Sequence, residues 1–366
     1  MLRALSSSIL WTGGADMKQQ LEAYFGRPAK SITTAVLGAL ALAFLWWIFQ
    51  WGIVDATWTG DASQCRANLG GACWTFLTHK MPFILFGFYP PEEFGRVVAL
   101  CAVFAACLVL SLVAISTSTK SLLRALPLLW LVQLVASVVL LRGGVLGLAP
   151  VPERLWSGLP ITIVLSVSTI LLGLPLGTLI ALGRKSRNGA VRMLCLWFVE
   201  VMRALPIIAV LFIATIIVPL FLPAQLDIST LFRALIGLLL VAAAYFSEIV
   251  RSGLNTIPHP QYEAADSLGF TKLQRARLVI LPQALSLVVS PLVSLAASLL
   301  KDTTLIVIIS QFDLVGTARL AISDPQWTGF SAEGFVFIGV IYFAMCWSVI
   351  KFGEMAETLM SVGRRR

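Results

Sequence analysis

A chain of 366 residues with 58% apolar and 12% charged residues carries about half the charge of a soluble domain, where roughly 25% is usual. Water is therefore excluded as its main solvent, and the length allows several membrane spans of about 20 apolar residues each. The formal charge of +9 comes from Lys and Arg in short clusters between apolar runs, which is the pattern of basic cytoplasmic loops and not of a nucleic-acid-binding surface.

The chain opens on a polar, mildly basic stretch, Met1 to Lys30, without the cleavage pattern of a signal peptide; it is expected to be retained and cytoplasmic. Hydropathy then predicts eight spans: Ser31–Val54, Val97–Ile115, Leu126–Leu141, Gly158–Gly183, Leu194–Leu222, Leu231–Val250, Ala284–Leu300 and Gly334–Ile350. The expected fold is all-α, a polytopic membrane helical bundle. With the N-terminus inside, most of the 27 Lys and Arg residues fall on the cytoplasmic side, so both termini are expected there. Two parts are expected: residues 1–157, an extension with three spans, and residues 158–366, a core with five. The boundary falls near the Gly- and Pro-containing link Gly143–Trp156.

Between the first two spans lies a loop rich in aromatics, Asp55 to Arg96, with Cys65 and Cys73. On the outer side of the membrane these two are candidates for a disulfide. Cys101, Cys107, Cys195 and Cys346 lie in or beside spans and read as small packing residues. In span four, Gly173, Gly177 and Gly183 read as close-packing positions, while Pro175 and Pro291 are expected to kink spans four and seven. The run Leu305–Ile309 is too short to span and is expected to lie shallowly at the outer side.

Arg203, Glu248, Lys301 and Asp302 are the ionisable groups nearest the bilayer in the core, and such groups face the bundle interior, a water path or the interface. For Arg203, lining of a translocation path or gate competes with a structural pairing to Glu200. Glu248 stands three residues before Arg251, the spacing of a helical ion pair. Lys301 and Asp302 can snorkel at the outer end of span seven, or serve a gate or a delivery protein.

Between spans six and seven, residues 251–282 read as two short helices with a sharp corner. Pro258 and Pro260 precede a first helix from Gln261 to Leu268, and Gly269 suits a left-handed C-cap. Thr271 and Gln274 have capping-box spacing for a second helix, with Pro282 at its end. Glu263 is expected in the first turn, where a carboxylate complements the helix dipole. Ala264, Ala265 and Leu268 offer a small-residue face for close approach of another protein. The basic residues Lys272, Arg275 and Arg277 equally suit a loop lying on anionic lipid headgroups.

The string Glu263-Ala264-Ala265, then Gly269, then Val279 and Leu281-Pro282 resembles the EAA loop of ATP-binding-cassette importer permeases, with Val279 in place of Ile and Pro260 where relatives carry Gly. Glu200-x-x-Arg203-Ala204-x-Pro206, Tyr245-x-x-Glu248-x-x-Arg251, Pro282-Gln283-Ala284 and Lys301-Asp302-Thr303-Thr304-Leu305 are similar to strings of its polar amino-acid branch, with Ala204 for Gly and Thr304 for Ser. The layout with three extra spans looks like the larger permeases of general L-amino-acid importers of Gram-negative bacteria. The resemblance implies a transport subunit in the bacterial inner membrane whose loop couples to a separate ATPase. ATP and Mg would be used by that partner, and this chain would bind no cofactor. It further implies a periplasmic substrate-binding protein and a second permease subunit, in a hetero-oligomer embedded in membrane lipid. No Gly-x-x-x-x-Gly-Lys-Ser/Thr string is present to cradle ATP, and no nucleophile elbow or metal-binding helix suggests catalysis. An ion-coupled secondary carrier and a membrane receptor or scaffold are the alternative readings.

Overall fold

The computed structural model describes residues 28–68, 70–145, 147–221, 223 and 228–364. The expectations for residues 1–27 and for Arg365 and Arg366 lie outside the described residues. Among those described, seven helices are long and apolar enough to cross a membrane, and one bent pair passes the same test taken together. Compact units divide at Thr78 and His79, not at the expected boundary near 157.

The first unit holds α1 (Pro28–Phe49), continued by a π-helical turn, Gln50–Val54, and the short α2 (Ala62–Ala67). No residue of the α1 apolar window is buried. Beyond it, Cys65 and Cys73 form a disulfide. The loop is drawn in by Trp74, whose indole donates to the Gly52 carbonyl at 2.7 Å, and by Thr57, whose N–H donates to Ala72 O at 2.7 Å. Asp61 caps α2 by accepting from the Ser63 and Gln64 amides, and these bonds, with the Ser63 hydroxyl, hold its carboxyl below the usual range.

The division falls within α3 (Trp74–Phe86), and the second unit then runs through α4 (Phe94–Ser116), α5 (Lys120–Arg142), α6 (Leu159–Gly183), α7 (Gly189–Ala204), α8 (Ile207–Phe212) and α9 (Thr230–Thr256). It continues with α10 (His259–Ser267), α11 (Lys272–Gln274), α12 (Leu281–Leu287), α13 (Val289–Asp302), α14 (Leu314–Ile322) and α15 (Ser331–Arg364). The main core is shared by α4, α5, α6, α9 and α15: Leu100, Phe104, Leu134, Ile161, Leu165, Leu238 and Met345 are all buried in one cluster. The extension's second and third spans therefore pack into the core, which is why no compact boundary falls at 157.

Helices α6 and α9 lie against each other at glycine positions. A Cβ at Gly173 would meet Ala242 Cβ at 3.2 Å, and one at Gly177 would lie 2.5 Å from Phe246 Cβ. Further along, Lys185 Nζ donates to Leu254 O at 2.9 Å. Residue numbers rise together on both helices, so α6 and α9 are parallel and the chain between them must cross the membrane once more.

That crossing is not the single span expected over Leu194–Leu222. It is α7 followed by residues Ile207–Phe221, bent by 108°. The break follows from Pro206: the residue before a proline is pushed out of the α region, and Leu205 adopts ψ 137°. Past the break, Leu211 and Ala214 pack on Gly237, near the start of α9, while Arg203 lies by Glu248, near its end. The second half thus runs antiparallel to α9. Pro175, by contrast, sits inside an unbroken α6, and the break near Pro291 falls at Val288, between α12 and α13. The 305–309 run belongs to a 3-10 turn, Thr303–Ile309, that prolongs α13.

Candidate functional site

Residues 257–288 fold onto one end of the bundle. Ile257 leaves α9 in extended conformation, and α10 then starts at His259, with Pro260 in its first turn, where a missing N–H costs nothing. The helix begins two residues earlier than the sequence suggested. Glu263 consequently lies beyond the first turn; its carboxylate meets His259 Nδ1 at 3.0 Å instead of the helix N-terminus.

The C-terminal corner is built as its composition requires. Gly269 has φ +76°, and the Phe270 amide donates back to Ala265 O at 3.2 Å, closing the helix in the manner of a left-handed cap. Thr271 and Gln274 form a capping box. The next turn, Arg275–Ile280, is π-helical and runs into Leu281 and Pro282. A proline ring crowds the carbonyl four residues back, and the wider turn accommodates it.

Two faces of α10 are distinct. Ala265 is buried and Tyr262 half-buried, with Tyr262 reaching the Leu254 carbonyl at 3.4 Å. Tyr262, Val279 and Leu281 pack against the buried cluster that includes Leu254, Ile257, Ile280 and Ala284, and burial raises the Tyr262 hydroxyl pKa. Arg275 pairs with Asp266 and lies 5.6 Å over the Tyr262 ring; Gln283 reaches Gln261 at 3.2 Å. On the other face Glu263, Ala264, Leu268 and Gly269 are exposed, Leu268 by 74%. The expected face of Ala264, Ala265 and Leu268 is therefore divided, with Ala265 turned onto its own chain. Pro282 is exposed and Leu281 half-buried.

Just inside this end lies a charge cluster centred on Glu248. Its carboxylate takes Arg184 at 2.6 Å, Arg203 at 3.4 Å and Arg251 in a direct pair. Arg184, whose side chain is only 7% exposed, also lies 3.8 Å from Glu200. Arg203 is thus joined to Glu248 and not to Glu200, and the cluster ties the ends of α6, α7 and α9. Burial, with the charge of Arg251, lowers the pKa of neighbouring Lys185. Lys301 and Asp302 end α13 at the far side of the bundle, exposed and half-buried respectively, apart from this cluster.

Sequence reasoning missed two groups. Arg184 is 64 residues from its partner, and no local spacing announces it. At the opposite end of the bundle, Asp313 is buried and caps α14 by accepting from the Gly316 amide at 2.9 Å. It also accepts from the Tyr342 hydroxyl at 3.0 Å, and the Leu314 amide donates to Thr162 at 3.1 Å. An Asp directly before an apolar helical run was the available signal. Burial raises the Asp313 pKa.

The family described as binding-protein-dependent transport system inner membrane component matches residues 173–353. The inner membrane amino-acid ABC transporter permease protein YhdY of Escherichia coli (strain K12) is 36% identical over 321 residues, 87% of this chain and 85% of that protein. The glutamate/glutamine/aspartate/asparagine transport system permease protein BztC of Rhodobacter capsulatus is 30% identical over 406 residues, 93% of each chain. A crystal structure of an amino acid ABC transporter with histidines is 27% identical, with 55% of this chain and 91% of that chain covered at TM-score 0.48.

Proposed function

Since the chain belongs to the binding-protein-dependent inner membrane transport components, among the amino-acid ABC transporter permeases, we propose that residues 259–274 are the surface on which a separate ATPase docks. The observation that carries this reading is the two-faced helix α10. Its outer face presents Ala264, Leu268 and the Gly269 corner, and its inner face carries buried Ala265 and is fixed to α9 through Tyr262. A push on the outer face is passed to Leu254 and Ile257 by packed contact, not by a flexible linker. At Gly253, a Cβ would lie 2.6 Å from the Ala284 carbonyl, so α9 and α12 move as a pair.

ATP binding shifts the transport equilibrium only through contacts that differ between the inward- and outward-open states. In this reading the docked ATPase supplies them on α10, at the cytoplasmic face. Both termini of the chain then lie in the cytoplasm, and Cys65–Cys73 and Asp313 lie on the periplasmic side. A periplasmic binding protein delivers the amino acid there, and a second permease subunit completes the path. ATP and Mg belong to the ATPase. The ion-coupled carrier and receptor readings gain no support from the relatives.

The test is a transporter reconstituted with its ATPase and binding protein, with Ala264→Arg or Leu268→Arg in this chain. Both sites are exposed, so the stability of the isolated chain should stay within about 0.5 kcal/mol, while ATPase copurification and uptake are lost. Gly269→Val, with open space around its Cβ but φ +76°, should strain the corner by about 1–2 kcal/mol and uncouple hydrolysis from uptake. Undiminished coupled uptake by all three variants would reject the docking surface.

A further inference from the structure

The second unit contains a cavity of about 280 Å³ between α4, α5, α6, α13 and α15, lined by Phe104, Trp130, Val167, Leu171, Ala296 and Val349 among others. It is nearly twice the size of an engineered apolar cavity of about 150 Å³ that stays dry and takes up benzene. Its walls reach from Leu292 to Leu300 on α13 and from Ser166 to Leu174 on α6, about 12 Å along each helix at 1.5 Å per residue. The void is a slot running with the helices, inside the membrane spans.

We propose that this slot binds one hydrocarbon chain of a bilayer lipid. Three observations select that occupant. The lining is almost wholly apolar, and its few polar groups are spent within the protein. The Ser111 hydroxyl donates to Cys107 O at 2.7 Å and accepts from Trp130 Nε1 at 3.1 Å. Ser166 and Ser348 donate to Ile163 O and Ala344 O on their own helices. Every side-chain donor in the lining is therefore engaged, so a water in the slot could only donate to hydroxyl lone pairs and would lack its usual set of partners. The cavity also lies close to lipid-facing surface: Leu110, Leu131 and Trp347, next in sequence to the lining residues Ser111, Trp130 and Ser348, are exposed. The slot lies where the extension's α4 and α5 meet the core helices α6, α13 and α15, so its occupant fills a gap left in that packing.

The experiment uses the full chain, assembled with its partner subunits, in vesicles of phosphatidylethanolamine and phosphatidylglycerol. A trace of phosphatidylethanolamine carries a diazirine in mid-chain. After photolysis, peptide mass spectrometry should find adducts within 104–111 and 292–300. Ala296→Phe, or Val349→Phe on another helix, should cut those adducts about tenfold, because a ring in the slot displaces at least two methylenes. Adducts on residues 36–47 of outward-facing α1 should not change, which reports insertion. If one variant fails to insert, the other carries the test. Absent pocket adducts, or adducts that both inserted variants leave unchanged, would overturn the proposal. Adducts present in the chain alone but absent from the assembled complex would assign the slot to protein and overturn it equally.

Discussion

Replacing Glu248 by Gln removes the one carboxylate that three guanidiniums share. Arg184, 7% exposed, would keep only Glu200 at 3.8 Å. Leaving a buried charge without its partner costs about 3–5 kcal/mol. Glu248 is a quarter exposed and water reaches it, so the lower end applies, about 3 kcal/mol. The reverse change is cheaper. Arg184→Gln leaves Glu248 with Arg251 and Arg203, and removes one charged hydrogen bond, about 1.5 kcal/mol. Arg203→Gln should cost about 0–1 kcal/mol, because its contact is long and more than a third exposed. At about 2 °C per kcal/mol for a chain of this size, the heating midpoints in detergent should fall by about 6, 3 and 1 °C. Size-exclusion retention after heating reads them. An Arg184 variant that loses as much as the Glu248 variant would refute the hub, since the cost would then follow burial of the arginine alone.

Gly177→Ala should be destabilising by about 1–3 kcal/mol. Its Cβ would meet the α9 backbone, Ala243 O at 2.7 Å and Ser247 N at 2.8 Å, whereas Gly173→Ala meets only side-chain atoms at 3.2–3.3 Å and should cost less; denaturation midpoints reversing that order would contradict the parallel packing. For Asp313, whose pKa burial raises, the unfolded chain ionises at a lower pH than the folded one. Between those two values the folded state holds the extra proton, so stability falls as pH rises from the ordinary carboxylate range through the raised value. Asp313→Asn should flatten that slope in a pH series of thermal midpoints, and an unchanged slope would place the titrating group elsewhere.

Span number and approximate place were legible because hydropathy alone reports them. Hydropathy does not sense chain direction, and Pro206 lies within an apolar run, so the 108° bend between α7 and its continuation was hidden. The signal was local: a Glu-x-x-Arg-Ala-x-Pro string ends one helix where the window average continues another. Gly269 and the Thr271–Gln274 box were legible as corner and cap because each is a property of a few adjacent residues. The inward face of α10 was not, since Tyr262 packs against a cluster that includes Ile280 and Ala284 from a later segment. Arg184 shows the same limit. Nothing adjacent to it in sequence points to Glu248, 64 residues away, until α6 and α9 lie side by side.

That packing also suggests how a push at α10 reaches the bent crossing. Tyr262 holds the Leu254 carbonyl, and six residues earlier on the same helix Glu248 holds Arg203. Arg203 is the last charged residue before the chain turns at Leu205 and Pro206. Between them α9 is continuous helix, so displacement at one point reaches the other without passing through a loop. Arg184 anchors the same carboxylate to α6, which lies along α9 at glycine contact. Interfaces packed this closely switch between discrete arrangements instead of deforming smoothly. The exposed Arg203 contact, at 3.4 Å the longest of the three to Glu248, is the one that breaks at least cost. The α7–α8 bend can therefore change while α6 and α9 stay paired, and under the docking proposed for α10 a push there would act on the bend through the end of α9.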